Sequence, residues 1–428
     1  MKQDNYKSKW AELEKLSLFK KLPLTEQTDI KDICYDHLFT FQEFKQYVEV
    51  HKDFKMWNKP SLQTQWNHWS QQSSLKGREL KKHNFNKLNK TVNQYKVELT
   101  NYNSVLVKKN FPAKKIDFKT SPSEEKLLGF CPVASEKTVC CNLRTIDAVK
   151  NCGFGCSYCA IETMFSGGKV LFHDNLSEKL KNMELDPKKF YHIGTGQSSD
   201  SLIWGNKNGL LDDLMHFAEE NKNIILEFKS KSNNIKFFLE NDIPKNIFCS
   251  WSLNPQVIID NEEHKSASLE QRLSAAKQVA NKGIKVSFHF HPIVYYKGWE
   301  QDYKNIIEEI KKNFTPEQIL IISFGTLTFP KPIIKKIREF DVQSQILQMP
   351  MVTNPEGKMT YPEEIKNKIF KTTYDYFSSW HDQVFFYLCM EERNYWYESL
   401  GYCYETNDEF EEAMLASIKS KVPLSLNN

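Results

Sequence analysis

No stretch of 18 consecutive apolar residues occurs in this sequence, so no membrane-spanning helix and no membrane partner are expected. The opening MKQDNYKSKWAELEKLSLFKKL is polar and amphipathic and lacks the apolar core of a secretion signal. Without an export signal, the ten cysteines argue against a disulfide scaffold. They fit a soluble protein of the reducing cytoplasm, its thiols used for metal binding and chemistry. Strong net charge is also missing, since the balance is only +4. The 40% hydrophobic content is ample for a packed core, and 428 residues allow two or three domains.

The small net charge hides an uneven distribution. Residues 1–128 hold 24 Lys/Arg against 15 Asp/Glu, whereas the remainder is net negative. Residues 71–119 alone, with 12 basic and 3 acidic residues, account for the whole excess. Such a block is either a phosphate-binding surface, with DNA or another nucleic acid as partner, or a solvated lysine-rich helix.

Three cysteines in Asn151-Cys152-Gly153-Phe154-Gly155-Cys156-Ser157-Tyr158-Cys159 carry the strongest chemical signal. Thiolates at C-x3-C-x2-C spacing on one loop can hold three corners of a four-iron cluster and leave the fourth iron open. A structural zinc site would want a fourth Cys or His nearby, and the next histidine, His173, stands alone. The two glycines let the loop fold tightly.

Residues 1–125 read as a basic, mainly helical region. Apolar residues recur at helical spacing in Trp10, Leu13, Leu16 and Leu18 and again in Phe39, Phe41, Phe44 and Val48. Trp57, Trp66 and Trp69 are expected to anchor a small helical core, and Lys108–Ser123 to form an exposed connector. From Val139, short apolar runs (139–147, 189–196, 223–232, 246–254, 284–294, 319–329) alternate with helix-like stretches. Six repeats of strand and helix predict a parallel α/β sheet curled into a partial (β/α)6 barrel over 126–350. Residues 351–428 then form a mixed segment that closes the barrel. Functional groups should gather at the carboxyl ends of the strands. Those ends offer Gly194-Thr195-Gly196-Gln197-Ser198-Ser199-Asp200, Lys229-Ser230-Lys231-Ser232 and Ser250-Trp251-Ser252-Leu253-Asn254.

The order of these segments resembles the spore photoproduct lyase family of radical S-adenosylmethionine (SAM) enzymes. The likeness runs from Cys152 through Ser199-Asp200, Ser230-Lys231-Ser232-Asn233, Ser252-Leu253-Asn254, Arg272, Pro292 and Gly298-Trp299 to Lys358, Thr360 and Tyr361. It implies a [4Fe-4S] cluster on Cys152, Cys156 and Cys159. It also implies a SAM site lined by Tyr158, Ser199, Asp200, Lys231, Ser252 and Asn254. The activity implied is cleavage of SAM to a 5′-deoxyadenosyl radical for repair of a methylene-bridged thymine dimer in DNA. An electron donor such as flavodoxin or ferredoxin is implied as a partner.

The sequence also departs from the family. Gln197 stands where the spore enzymes carry a hydrogen-donating cysteine, Ala160 where they carry a second tyrosine, and Thr328 where an arginine reaches DNA. Cys389, in Tyr387-Leu388-Cys389-Met390-Glu391, is the candidate replacement donor, placed outside the barrel where the C-terminal segment closes over its mouth. Strand alternation turns Cys249 away and lets only one of Cys140 and Cys141 face inward. Gln197 keeps open a different nucleotide, RNA or small-molecule substrate for the same radical chemistry. A non-catalytic iron–sulfur protein that binds nucleic acid is a third reading.

Overall fold

The computed structural model describes residues 2–102, 116–131, 137–160, 169–340 and 342–426, with the side chains of 2–5 excepted. The chain forms two compact units, one of Met1–Leu106 with Phe329–Met351, the other of Val107–Thr328 with Val352–Asn428. The segment 329–351, assigned from sequence to the barrel, thus belongs to the helical unit.

That helical unit contains Lys2–Leu13, Ser17–Lys20, Leu24–His37, Phe41–Met56, Leu62–Gln71 and Gly77–Val97, joined by Lys331–Glu339. Thr40 caps Phe41–Met56 in a capping box, accepting from the Glu43 N–H while the Glu43 carboxylate accepts from the Thr40 N–H at 2.7 Å. The core is aromatic: Phe39, Tyr47, Trp66 and Phe85 meet at centroid distances of 5.1–5.7 Å. Trp57 and Trp66 are buried, as large aromatics at the centre of a small helical core should be. Arg338 clamps Asp53 through two hydrogen bonds of 2.8 Å, fixing Lys331–Glu339 onto Phe41–Met56.

The second unit holds the main sheet. Its strands are β1 (Leu128–Phe130), β2 (Arg144–Ile146), β3 (Tyr191–Thr195), β4 (Ile224–Ser230), β5 (Ile247–Ser252), β6 (Lys285–Ile293), β7 (Ile319–Thr326) and β8 (Phe385–Leu388). They lie side by side in strict chain order. β1 runs antiparallel to β2, and β2 to β8 are all parallel. The six expected runs supply β2 to β7, separated by helices such as Leu210–Glu220, Leu269–Asn281 and Trp299–Asn313. Sequential parallel strands with helical crossovers curl the sheet into an open half-barrel.

β8 adds a seventh parallel strand from the C-terminal segment. Cys389 therefore lies at a strand end of this sheet, not outside it, its N–H donating to the Phe324 carbonyl at 2.8 Å. A small second sheet pairs Asp117–Ser121 with Lys169–His173 in parallel, and Val149–Lys150 joins antiparallel. The expected connector at Lys108–Ser123 is thus partly a strand; its positions 108–115 lie outside the described residues.

Candidate active site

The cysteine loop leaves Val149–Lys150 through a left-handed residue, Asn151 (φ 77°). Its amide locks the turn: Nδ2 donates to the Lys169 carbonyl and Oδ1 accepts from the Cys152 N–H, both at 2.9 Å. Gly153 is required by packing, because a Cβ there would lie 2.9 Å from the Trp204 ring. Further along, the Ser157 N–H donates to the Glu262 carbonyl at 2.8 Å and the Cys159 N–H to the Cys156 carbonyl at 3.0 Å.

Cys156 is buried, Cys152 and Cys159 half-buried. Burial raises the Cys152 thiol to about 12, with the negative charges of Asp200 and Cys159 acting in the same direction. Burial likewise raises Cys156, and the neighbouring Cys152 and Cys159 add to the shift. Among the described residues no three His, Cys, Asp or Glu side chains form a group suited to a single metal ion. The donor set itself, three mutually interacting thiols on a loop pinned at both ends, fits an iron–sulfur cluster that Cys152, Cys156 and Cys159 would hold as thiolates.

Behind the loop stands Glu263, a fully buried carboxylate that no sequence pattern marked. Tyr158 donates its hydroxyl to it, Asn254 donates at 2.8 Å, Arg272 at 2.5 Å, and the Lys231 ammonium stands 3.8 Å away. Burial by itself would raise this carboxyl, but Arg272 and Lys231 hold it down to about 2. Arg272 is itself fully buried and donates also to the carbonyls of Ala267 and Ser252. One anion therefore ties the aromatic residue of the cysteine loop to the ends of β4 and β5.

The remaining expected contacts sort into two kinds. Asp200 is saturated by the protein: Oδ1 accepts from the N–H groups of Leu202 and Ile203 and from the Ser230 hydroxyl, and Oδ2 from the Lys231 N–H at 2.6 Å. The Ser199 hydroxyl accepts from the Trp204 indole at 2.9 Å. Asn254 is held between Glu263 and the Tyr303 hydroxyl, and Ser252 is buried with its carbonyl on Arg272. Lys231 is half-buried, its ammonium 6.0 Å from the centre of the Tyr158 ring.

A second polar system fills the inside of the half-barrel. Glu227 on β4 accepts from His192 at 2.9 Å, His289 at 2.6 Å and Ser250 at 2.5 Å. The chain continues from His289 through Ser323 (2.5 Å) to His291 (3.0 Å), whose other nitrogen faces the Lys229 ammonium at 3.5 Å. Burial alone would raise Glu227, but His289 and His192 hold it well below the carboxylate range. Burial, then the Lys229 charge, keeps His291 neutral. A charged residue inside an apolar strand and the alternation Ser287, His289, His291 on β6 were the available sequence signals.

This system floors a cavity of about 170 Å³ whose walls carry Gln197, Cys131, Cys140, Cys141 and Cys389. Both Cys140 and Cys141 reach it, contrary to the alternation expected of a strand. The reason is that β2 begins only at Arg144, and Asn142 is left-handed (φ 52°), so no pleat separates the two side chains.

Comparison with known proteins agrees with this geometry. A family described as "Spore photoproduct lyase" matches residues 145–350. The spore photoproduct lyase of Clostridium acetobutylicum is 25% identical over 201 residues, 45% of this chain and 59% of that protein. That of Bacillus subtilis is 26% identical over 171 residues, 39% of this chain and 50% of that protein. The match thus spans from half to about three fifths of the length of these relatives. Among solved structures, a spore photoproduct lyase complexed with dinucleoside spore photoproduct aligns with a TM-score of 0.55 at 18% identity, covering 71% of this chain and 94% of the other. A substituted form with bound AdoMet and the same dinucleoside aligns at 0.53 and 18% identity. Over the half-barrel the chain is similar in sequence to spore photoproduct lyases, and it shares their fold.

Proposed function

We propose that this protein is a radical SAM lyase acting on a pyrimidine photoproduct in DNA. The observation that carries the reading is the pairing of a three-thiol loop with a buried Glu263–Arg272–Lys231 cluster at the strand ends of a half-barrel. Cys152, Cys156 and Cys159 would hold the [4Fe-4S] cluster, and Lys231 and Tyr158 would face SAM. Asp200, Ser199, Ser252 and Asn254 are positioning residues that fix the loops around it. When bound, cluster and SAM would supply a 5′-deoxyadenosyl radical able to take a hydrogen atom from a substrate carbon.

The chain's own contribution is placement. The cavity beside Gln197, about 170 Å³, is close in volume to an apolar site that admits one benzene ring, which gives room for one of the two rings of a bridged lesion. A lesion would therefore enter flipped out of the duplex, which costs least where stacking is already damaged. Lys76, Arg78, Lys82, Lys87 and Lys90, all exposed, give the helical unit a surface for DNA phosphates. Gln197 favours a second reading, the same radical chemistry on another nucleotide or small molecule.

The test is the yield of 5′-deoxyadenosine from anaerobically reconstituted protein with SAM and dithionite. DNA containing the spore photoproduct is compared with undamaged DNA. A lesion-dependent rise with recovery of thymines is expected. Slow cleavage indifferent to DNA would move the substrate elsewhere, and a full cluster with no cleavage would overturn the enzyme reading.

A further inference from the structure

Four cysteines outside the cluster loop converge on the barrel cavity, and the backbone shows how. Val139 bridges antiparallel to Glu391, its N–H donating to the Glu391 carbonyl at 3.0 Å. The bridge is isolated, because Met390 beyond it is left-handed (φ 61°), and it leaves Cys389 lining the same cavity as Cys140 and Cys141. Cys140 is fixed by its N–H, which donates to Asn407 Oδ1 at 2.9 Å, and Asn142 Nδ2 donates to Asp408 at 3.0 Å. The C-terminal helix Asn407–Lys419 and β8 thus hold two thiol-bearing segments together. Cys131 reaches the same cavity after β1, its N–H donating to the Leu143 carbonyl at 2.9 Å. Gln197 lines the same cavity and belongs to the Gly194–Asp200 turn, whose far end, Asp200, adjoins Cys152.

The protonation states of these thiols differ. A hydrogen bond with Cys141 lowers Cys140 to about 7, whereas burial raises Cys389 to about 12 against the pull of Lys229. Cys389 therefore keeps an S–H at neutral pH beside a neighbour that is partly thiolate.

We propose that Cys389 with Cys140 and Cys141 is a hydrogen-atom-donating thiol array that replaces the donor missing at Gln197. The proposal rests on the radical reading above. The Cys389 S–H bond breaks homolytically, its hydrogen forms the C–H bond of the product, and Cys389 is left as a thiyl radical. That radical joins the Cys140 thiolate in a two-centre S–S bond carrying one negative charge and one unpaired electron. One electron from a low-potential one-electron reductant, dithionite in the assay, and one proton return Cys389 to its S–H and Cys140 to its thiolate. Each turnover then consumes one SAM, because the hydrogen first taken from the substrate stays on 5′-deoxyadenosine.

The decisive experiment uses the reconstituted full chain with dinucleoside spore photoproduct, SAM and dithionite in D₂O. Wild type should place one deuterium in each repaired thymine pair and form 5′-deoxyadenosine and repaired product in a ratio near one. In Cys389→Ala the ratio of repair to 5′-deoxyadenosine should fall at least tenfold, and adding Gln197→Cys should restore it. Cys140→Ala should lower it by a smaller factor. An unchanged ratio in Cys389→Ala overturns the proposal. A second readout needs no turnover: diamide oxidation followed by peptide mass spectrometry should yield a Cys389 disulfide to Cys140 or Cys141. Absence of that crosslink also overturns the array. A crosslink with no wild-type repair would leave the array standing and reject the substrate reading instead.

Discussion

Removing the Glu263 carboxylate should be among the most costly single changes in the barrel. Glu263 and Arg272 are each fully buried, so Glu263→Gln strands a guanidinium with no counter-charge. Breaking a buried pair from one side costs about 3–5 kcal/mol. Titration gives a similar figure. A carboxyl lowered from 4.5 to about 2 carries about 3 kcal/mol, at roughly 1.4 kcal/mol for each unit. Because the folded value is depressed, this stability is fully present above about pH 4.5 and is lost as pH falls toward 2. Equilibrium urea unfolding followed by circular dichroism at pH 7 should show Glu263→Gln destabilised by about 3–5 kcal/mol. The loss relative to wild type should shrink at pH 3. Since breaking costs more than replacing, the double variant Glu263→Met, Arg272→Met should be more stable than Glu263→Gln alone. A single variant within about 1 kcal/mol of wild type, the range of an exposed pair, would refute the reasoning.

Gly196→Ala should destabilise the barrel by about 2 kcal/mol or more, since left-handed backbone costs roughly 1–2 kcal/mol at a non-glycine residue. Gly196 has φ +88°, and an added Cβ would meet Ser201 Oγ at 2.5 Å and the Lys229 carbonyl at 3.0 Å; thermal unfolding reads the loss. Gly153→Ala should lower the iron bound per chain after reconstitution, because its Cβ would press on Trp204 at 2.9 Å and Ile203 at 3.1 Å. Iron and sulfide assays check this, and wild-type loading would contradict it. Replacing Lys76, Arg78, Lys82, Lys87 and Lys90 together by Ala should flatten the plot of log affinity for DNA against log salt. The change is up to about 4.5 in slope, at roughly 0.9 for each lost phosphate contact, and an unchanged slope would remove this surface from the DNA site.

The half-barrel was legible because each strand announces itself by an apolar run of the right length and each crossover by helical spacing. The cluster loop was legible because its chemistry needs three residues of one type within eight positions. What escaped lay in pairings across long sequence separations. β8 is only four residues long and follows a helical stretch, so nothing local marks it as a partner of β7 some 60 positions earlier. Glu263 sits in Asn261-Glu262-Glu263-His264-Lys265, a run that reads as an exposed turn until Tyr158, Lys231 and Arg272 close around it. Cys140 and Cys141 were misread because strand alternation was applied to residues that precede the strand.

On the thiol-array proposal, the same long-range pairing accounts for Gln197. In a sequential parallel sheet every strand end opens onto one mouth, so a group lost from the end of β3 can be supplied by another strand that reaches that rim. β8 and the segment before β2 both do so, joined by the Val139–Glu391 bridge, and both carry thiols. On the thiol-array proposal, Gln197 and the cysteine that follows β8 belong to one arrangement around the cavity. The C-terminal segment extends the sheet by a strand and brings a cysteine to the cavity that Gln197 also lines.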